Sequence, residues 1–115
     1  MTQPEIRYCF YGEMGVGDKN YKEDILLTKN GVKPWKRETE HRVSLKDVGR
    51  ILAEKPEVVV FGTGFAGCLF VPDELKSYMR EQGIDSVIMP TGQAWEFYNK
   101  QLGHRKIAAC MHLLC

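Results

Sequence analysis

Val58-Val59-Val60-Phe61-Gly62-Thr63-Gly64-Phe65-Ala66-Gly67 is a strand pattern that runs straight into a glycine loop. Unbroken β-branched and aromatic residues leave no side for water, so Val58 to Phe61 suit a strand covered on both faces. On its upstream side the period is helical: Ser44 is a natural N-cap and Asp47 stands at capping-box distance. Leu45, Val48, Ile51 and Leu52 make one apolar stripe, and Lys55-Pro56 stops the helix. Downstream, a second helix opens at Pro72, where a missing N–H is harmless, with Asp73 and Glu74 at its positive end. Leu75, Tyr78 and Met79 form its apolar side, and Gly83 fits the C′ position. Ser86 to Met89 reads as the next strand. Thr91 caps a third helix with Ala94, Phe97, Tyr98 and Leu102 inward, Gly103 ends it, and Lys106 to Leu114 is a last strand. This order implies an α/β domain with a mixed, mostly parallel central sheet and right-handed crossovers.

Before Ser44 the period is two. Ile6, Tyr8 and Phe10 alternate with Arg7 and Cys9 and lead into a glycine-rich turn around Gly15 and Gly17. The run Tyr21 to Thr28 meets Asn30-Gly31 and then Val32 to Trp35, a hairpin, because both turn residues accept positive φ at little cost. Pro34 lacks a donor, which places its strand at an edge. The expected organisation is one domain, with an antiparallel β portion over 1–43 and an alternating α-β portion over 44–115.

The chain has 115 residues, with 43% hydrophobic and 27% charged, the range of an ordinary globular protein. Sixteen basic against fifteen acidic residues give a formal charge of +1, without the excess that phosphate backbones demand, so nucleic acid is excluded as a partner. Met1 to Phe10 lack the pattern of a secretory signal. The longest uncharged run, Val58 to Pro72, is too short for a membrane helix. Cys9, Cys68, Cys110 and Cys115 are too scattered for a disulfide framework. These readings together expect a cytoplasmic protein without membrane insertion.

Gly62-Thr63-Gly64-Phe65-Ala66-Gly67 is a literal GxGxxG, the pattern with which dinucleotide folds approach a pyrophosphate. Cys68-Leu69-Phe70-Val71 is β-like, however, and Pro72 resets the helix start, so the nicotinamide context fails. Two readings stay open: a loop packed against neighbouring backbone, or loop amides holding a small anionic ligand. Because ligands of α/β sheets bind outside the carboxyl ends of parallel strands, the candidate ligand-binding residues are Gly62, Thr63, Gly64, Phe65, Gly67, Pro90, Thr91, His112 and Cys115. Trp35, Arg37 and His41, in the connector between the halves, are candidate surface anchors, since Trp and Arg typify interface hot spots. Cys110, His112 and Cys115 raise metal binding, but no second cluster accompanies them, so the expectation is no metal and no cofactor. Catalysis through Cys115 has only His112 as a nearby base.

Across nearly its whole length the chain resembles the Mth nine-three-eight domain family. The likeness rests on Gly31 through Trp35 to Arg37, Glu40-His41-Arg42-Val43, Lys55-Pro56-Glu57-Val58, Phe61-Gly62-Thr63-Gly64 and Gly67. It continues through Val71-Pro72, Gly83-Ile84, Pro90-Thr91, Ala94, Tyr98-Asn99 and His112-Leu113-Leu114-Cys115. The family usually ends His-x-Thr-Cys, and Leu114 stands here in place of the threonine. The resemblance implies a three-layer fold in which a small antiparallel β element covers part of a mixed sheet. It implies no established reaction, and vertebrate relatives include an adipogenesis-associated protein and a mitochondrial complex I assembly factor. The expected function is a non-enzymatic binding or assembly module with a groove at the strand ends. The alternative is an enzyme or carrier for an anionic or nucleotide-like ligand at Gly62 to Gly67. The expected partner is an unknown protein or a small anion, and the expected state is a monomer or weak homodimer.

Overall fold

The computed structural model describes residues 3–115. Alternation along its central strand sorts the apolar side chains into two layers. In β6 (Val58–Gly62), Val59 and Phe61 join one buried cluster while Val58 and Val60 join another, and all four are fully buried. Burying a side chain of this size stabilises by about 1.5–3 kcal/mol. The strand is therefore apolar on both sides because it has a helical layer on each.

The first layer holds α1 (Leu45–Ala53) and α2 (Asp73–Glu81), through Val48, Ile51, Leu75 and Met79. The second holds α3 (Thr91–Gln101), through Ala94 and Tyr98, together with Ile6, Met14 and Val16 of the N-terminal strands. Those strands are β1 (Ile6–Phe10), β2 (Glu13–Val16) and β3 (Lys19–Tyr21), an antiparallel sheet of three. The main sheet of five adds β4 (Ile25–Thr28), β5 (Gly31–Pro34), β7 (Asp85–Met89) and β8 (Ile107–Met111) in the order β5-β4-β8-β6-β7. β8 and β7 flank β6 in parallel, whereas β4 pairs antiparallel with both β8 and β5. The crossover through α2 moves outward from β6 to β7, and the one through α3 returns past β6 to β8. Keeping both right-handed puts the two helices on opposite faces.

The sheet is thus mixed, and the N-terminal third is shared between two sheets. The run Tyr21 to Thr28 is broken at Lys22–Asp24, where the chain leaves the small sheet for the large one. Asn30-Gly31 makes the expected hairpin, with Gly31 at φ +106, and Pro34 lies on the edge strand. Gly17, φ +59, makes the turn between β2 and β3, but the turn before it is at Gly12, φ +82, and not at Gly15. Gly15 lies inside β2 beneath the Tyr8 ring, where an added Cβ would fall 2.3 Å from a ring carbon.

Three side chains and the end of the last strand depart from their expected places. Leu45 and Tyr78 point outward from α1 and α2, at 49% and 40% exposure. Pro90, not Thr91, is the N-cap of α3, and the Thr91 side chain turns instead into the protein. β8 ends at Met111, so His112 to Cys115 leave the strand as an irregular tail. That early exit builds the site.

Candidate functional site

The loop after β6, the start of α3 and the tail after β8 converge at one rim of the sheet. Thr91 joins all three: its buried hydroxyl accepts from the Gly64 N–H at 2.8 Å and donates to the His112 carbonyl at 2.6 Å. His112 in turn donates its N–H to the Gly62 carbonyl at 3.0 Å. Met89 at the end of β7 accepts from both the N–H and the hydroxyl of Thr63.

No open groove separates loop from tail. Gly64, at φ +98, lies so close to the tail that a Cβ would fall 2.3 Å from the Cys115 carbonyl carbon. The amides that a phosphate would need are already used. Phe65 N–H donates to Leu114 O at 2.8 Å, and Ala66 and Cys68 N–H donate to Cys115 O at 3.2 and 3.0 Å. Gly67 donates to Gly64 O and Leu69 to Thr63 O, so every backbone N–H from Thr63 to Leu69 has an acceptor within the chain. At Gly64 the missing side chain lets loop and tail backbone meet, whereas a Cβ on Gly62 would meet the Met111 and Thr91 side chains.

Side chains, rather than amides, remain available. Asp24 sits in the break between the two sheets and faces the tail. Its carboxylate pairs with the Arg37 guanidinium at 2.8 Å and with His112 Nδ1 at 2.8 Å, and it accepts from the Leu113 N–H at 2.8 Å. Burial pushes the Asp24 carboxyl up, but the bonds from Leu113, His112 and Arg37 outweigh it and hold the group below its ordinary value. Asp24 thus carries a charge that fixes His112 with Nδ1 bearing the proton. The other ring nitrogen, Nε2, is buried and has no protein partner among the described residues.

His41 lies across from it. The connector is held by Trp35, whose indole N–H donates to Asp47 O at 2.9 Å, and by Asp47, whose carboxylate accepts from the Glu38 and Ser44 N–H groups. It then runs beside the segment after the glycine loop, with Phe70 N–H bonded to His41 O and Val43 N–H to Phe70 O. This places the His41 and His112 rings edge to face at 6.2 Å and His41 Nε2 3.9 Å from Cys115 Sγ. Ligating atoms of His41, His112 and Cys115 all lie within 4.8 Å of one another. His41 joins His112 and Cys115 from 74 residues away, a partner that the spacing of Cys110, His112 and Cys115 gives no sign of.

The surface anchors need a correction. Trp35 is 4% exposed and the Arg37 side chain 6%, with the guanidinium stacked 4.5 Å from the Trp35 ring. Both are structural, and of the three only His41 is open to a partner. Pro90 is exposed at the rim, and Phe65 pairs its ring with Tyr11 at 5.9 Å. Asp24 and Cys68 were missed altogether. Asp24 is a single acid in a polar break, and Cys68 carries no signal beyond its place after Gly67.

A doubly covered mixed sheet, a small antiparallel cover and a tail folded back onto a glycine loop define a distinct α/β class. Residues 6–112 match the family described as protein of unknown function (DUF498/DUF598), and the chain belongs to that family, the Mth nine-three-eight-like proteins. A conserved hypothetical protein from Pyrococcus horikoshii is similar at 23% identity and TM-score 0.87, with 96% of this chain and 99% of that one covered. The solved structure titled MT938 is similar at 26% identity and TM-score 0.83, covering 97% and 99%. A Bartonella henselae protein described as an outer membrane protein is similar at 26% identity and TM-score 0.85, covering 99% and 98%. In the present chain no helix among the described residues is long and apolar enough to cross a membrane.

Proposed function

We propose that this chain is a non-enzymatic binding or assembly module whose contact face is the rim at the carboxyl ends of β6, β7 and β8. One observation carries the reading: large apolar side chains stand exposed there on backbone that is tied down. Tyr11 is 64% and Leu114 45% exposed, and Tyr11 pairs with Phe65. Gly12 N–H donates to Leu113 O at 2.7 Å and Phe65 N–H to Leu114 O, which fixes the three side chains in one patch. Such a patch lowers the ordering cost of association, and aromatic anchors of this kind dominate interfaces.

The anionic-ligand reading has less support, since the loop amides are spent on the tail. Site-specific photocrosslinking tests the choice. A photoreactive residue at Leu114 is expected to give discrete adducts in cells, reduced by Tyr11→Ala, while the same residue at Glu81 on α2 gives none. Identical patterns from both positions would overturn the proposal. In parallel, nucleotides, phosphate and acyl-CoA compounds are expected to leave the melting temperature unchanged; a ligand at about 100 times its Kd would add about 2.7 kcal/mol.

A further inference from the structure

We infer that His41, His112 and Cys115 form a binding site for a zinc-class transition-metal cation. Three observations beyond mere proximity lead there. First, His112 is 3% exposed, its Nε2 has no partner among the described residues, and a ring nitrogen of it lies within 4.8 Å of the His41 and Cys115 donors. A buried imidazole nitrogen without a hydrogen bond is costly, and a cation would satisfy it. Second, the Asp24 carboxylate at 2.8 Å from Nδ1 fixes the tautomer whose Nε2 lone pair is free, the carboxylate–histidine arrangement found behind bound metals. Third, the donor set is imidazole, imidazole and thiol. That set suits a tetrahedral cation of borderline softness and not an oxygen-seeking magnesium or calcium ion.

The geometry needs little change. Zinc bonds of about 2.0–2.3 Å place tetrahedral donors roughly 3.3–3.8 Å apart, so the group must draw in by about 1 Å. His112 is pinned, whereas His41 is exposed and Cys115 half-buried, so those two move. Cys68 stands outside that 4.8 Å group but beside Cys115, and would swing in as the fourth donor. Its amide is bonded to the Cys115 carbonyl at 3.0 Å, its side chain is exposed, and its thiol neighbours that of Cys115. On binding, each ligating thiol gives its proton to solvent and the sulfur lone pair goes to the metal. The bound ion would join the connector, the glycine loop and the tail, three segments far apart in sequence.

Cobalt(II) and zinc titrations of the full chain under reducing conditions test this. One equivalent of cobalt is expected to give a thiolate-to-metal charge-transfer band with tetrahedral visible bands, and zinc to displace both. His41→Ala and Cys115→Ser are expected to abolish the bands while keeping the native circular dichroism. Cys9→Ser retains them. Asp24→Asn is expected to weaken binding about 10–100-fold, as loss of a histidine-orienting carboxylate does. Cobalt uptake without the thiolate band, or unchanged binding in His41→Ala and Cys115→Ser, overturns the site. Unchanged affinity in Cys68→Ser overturns the fourth donor.

Discussion

Gly64 and Cys115 meet backbone to backbone: a Cβ on Gly64 would lie 2.3 Å from the Cys115 carbonyl carbon and 2.5 Å from its oxygen. Gly64 also holds φ +98, where side chains are strained. Gly64→Val is therefore expected to cost at least about 3 kcal/mol, combining left-handed strain with displacement of the tail. Gly83 is the control, because its φ is +78 but nothing lies within 4 Å of its Cβ position. Gly83→Ala is expected to cost only about 1 kcal/mol. Urea melts of both variants separate strain from collision, and equal losses would show that the tail yields freely.

Val58 to Phe61, the Asn30-Gly31 turn and the Ser44 helix start were readable because each depends on neighbours in the chain. The convergence of Gly62 to Gly67, Thr91 and His112 followed from a rule about parallel sheets. What stayed hidden depends on distant partners. Asp24 becomes an anchor only because β4 pairs with β8 and brings it beside His112. Trp35 looks like a surface anchor until Asp47, 12 positions on, takes its indole N–H into the core. His41 acquires its neighbours only when the connector lies against Phe70. Periodicity carries no trace of such meetings.

Thr91→Val keeps the shape of the side chain and removes its hydroxyl. Two buried backbone groups, the Gly64 N–H and the His112 carbonyl, then lose a partner. The expected cost is about 2–3 kcal/mol, well above an ordinary N-cap loss of about 1 kcal/mol. Thr91→Ser should recover most of it. Hydrogen exchange locates the effect: the Gly64 amide is expected to lose protection in the valine variant and keep it in the serine one.

Arg37 and Asp24 form a largely buried pair, with side chains 6% and 18% exposed. Removing Arg37 leaves the Asp24 charge with only His112 and the Leu113 N–H, so Arg37→Ala is expected to destabilise by about 3 kcal/mol, the low end for a broken buried pair. Arg37→Lys should recover only part, since lysine lacks the planar fork that also stacks on Trp35 and donates to Glu40 O. Denaturant midpoints of the three proteins check the order wild type, lysine, alanine. A lysine variant as stable as the wild type would leave simple charge as the whole contribution.

Alkaline pH should act through Tyr98. Its ring is fully buried against the sheet and its hydroxyl donates to the Pro4 carbonyl at 2.7 Å. Burial pushes the phenol up to about 12, from an ordinary value of 10, against a lowering by the Gln3 side chain. Below about pH 10 both folded and unfolded chains keep the proton and the stabilisation is fully present. Between the two values the unfolded chain releases its proton while the folded one holds it, so stability falls with rising pH. The total loss is on the order of 2–3 kcal/mol once the folded value is passed. Tyr98→Phe lacks the hydrogen bond, so it should begin about 1 kcal/mol less stable at neutral pH. It also lacks the ionisation, so its stability should decline less steeply above about pH 10 and the gap should close or reverse. Urea midpoints of both proteins across this range make the measurement, with tyrosinate absorbance expected to lose its latest-titrating component in the variant. Parallel decline of the two proteins would mean that the Tyr98 hydroxyl is no harder to ionise in the folded chain than in the unfolded one.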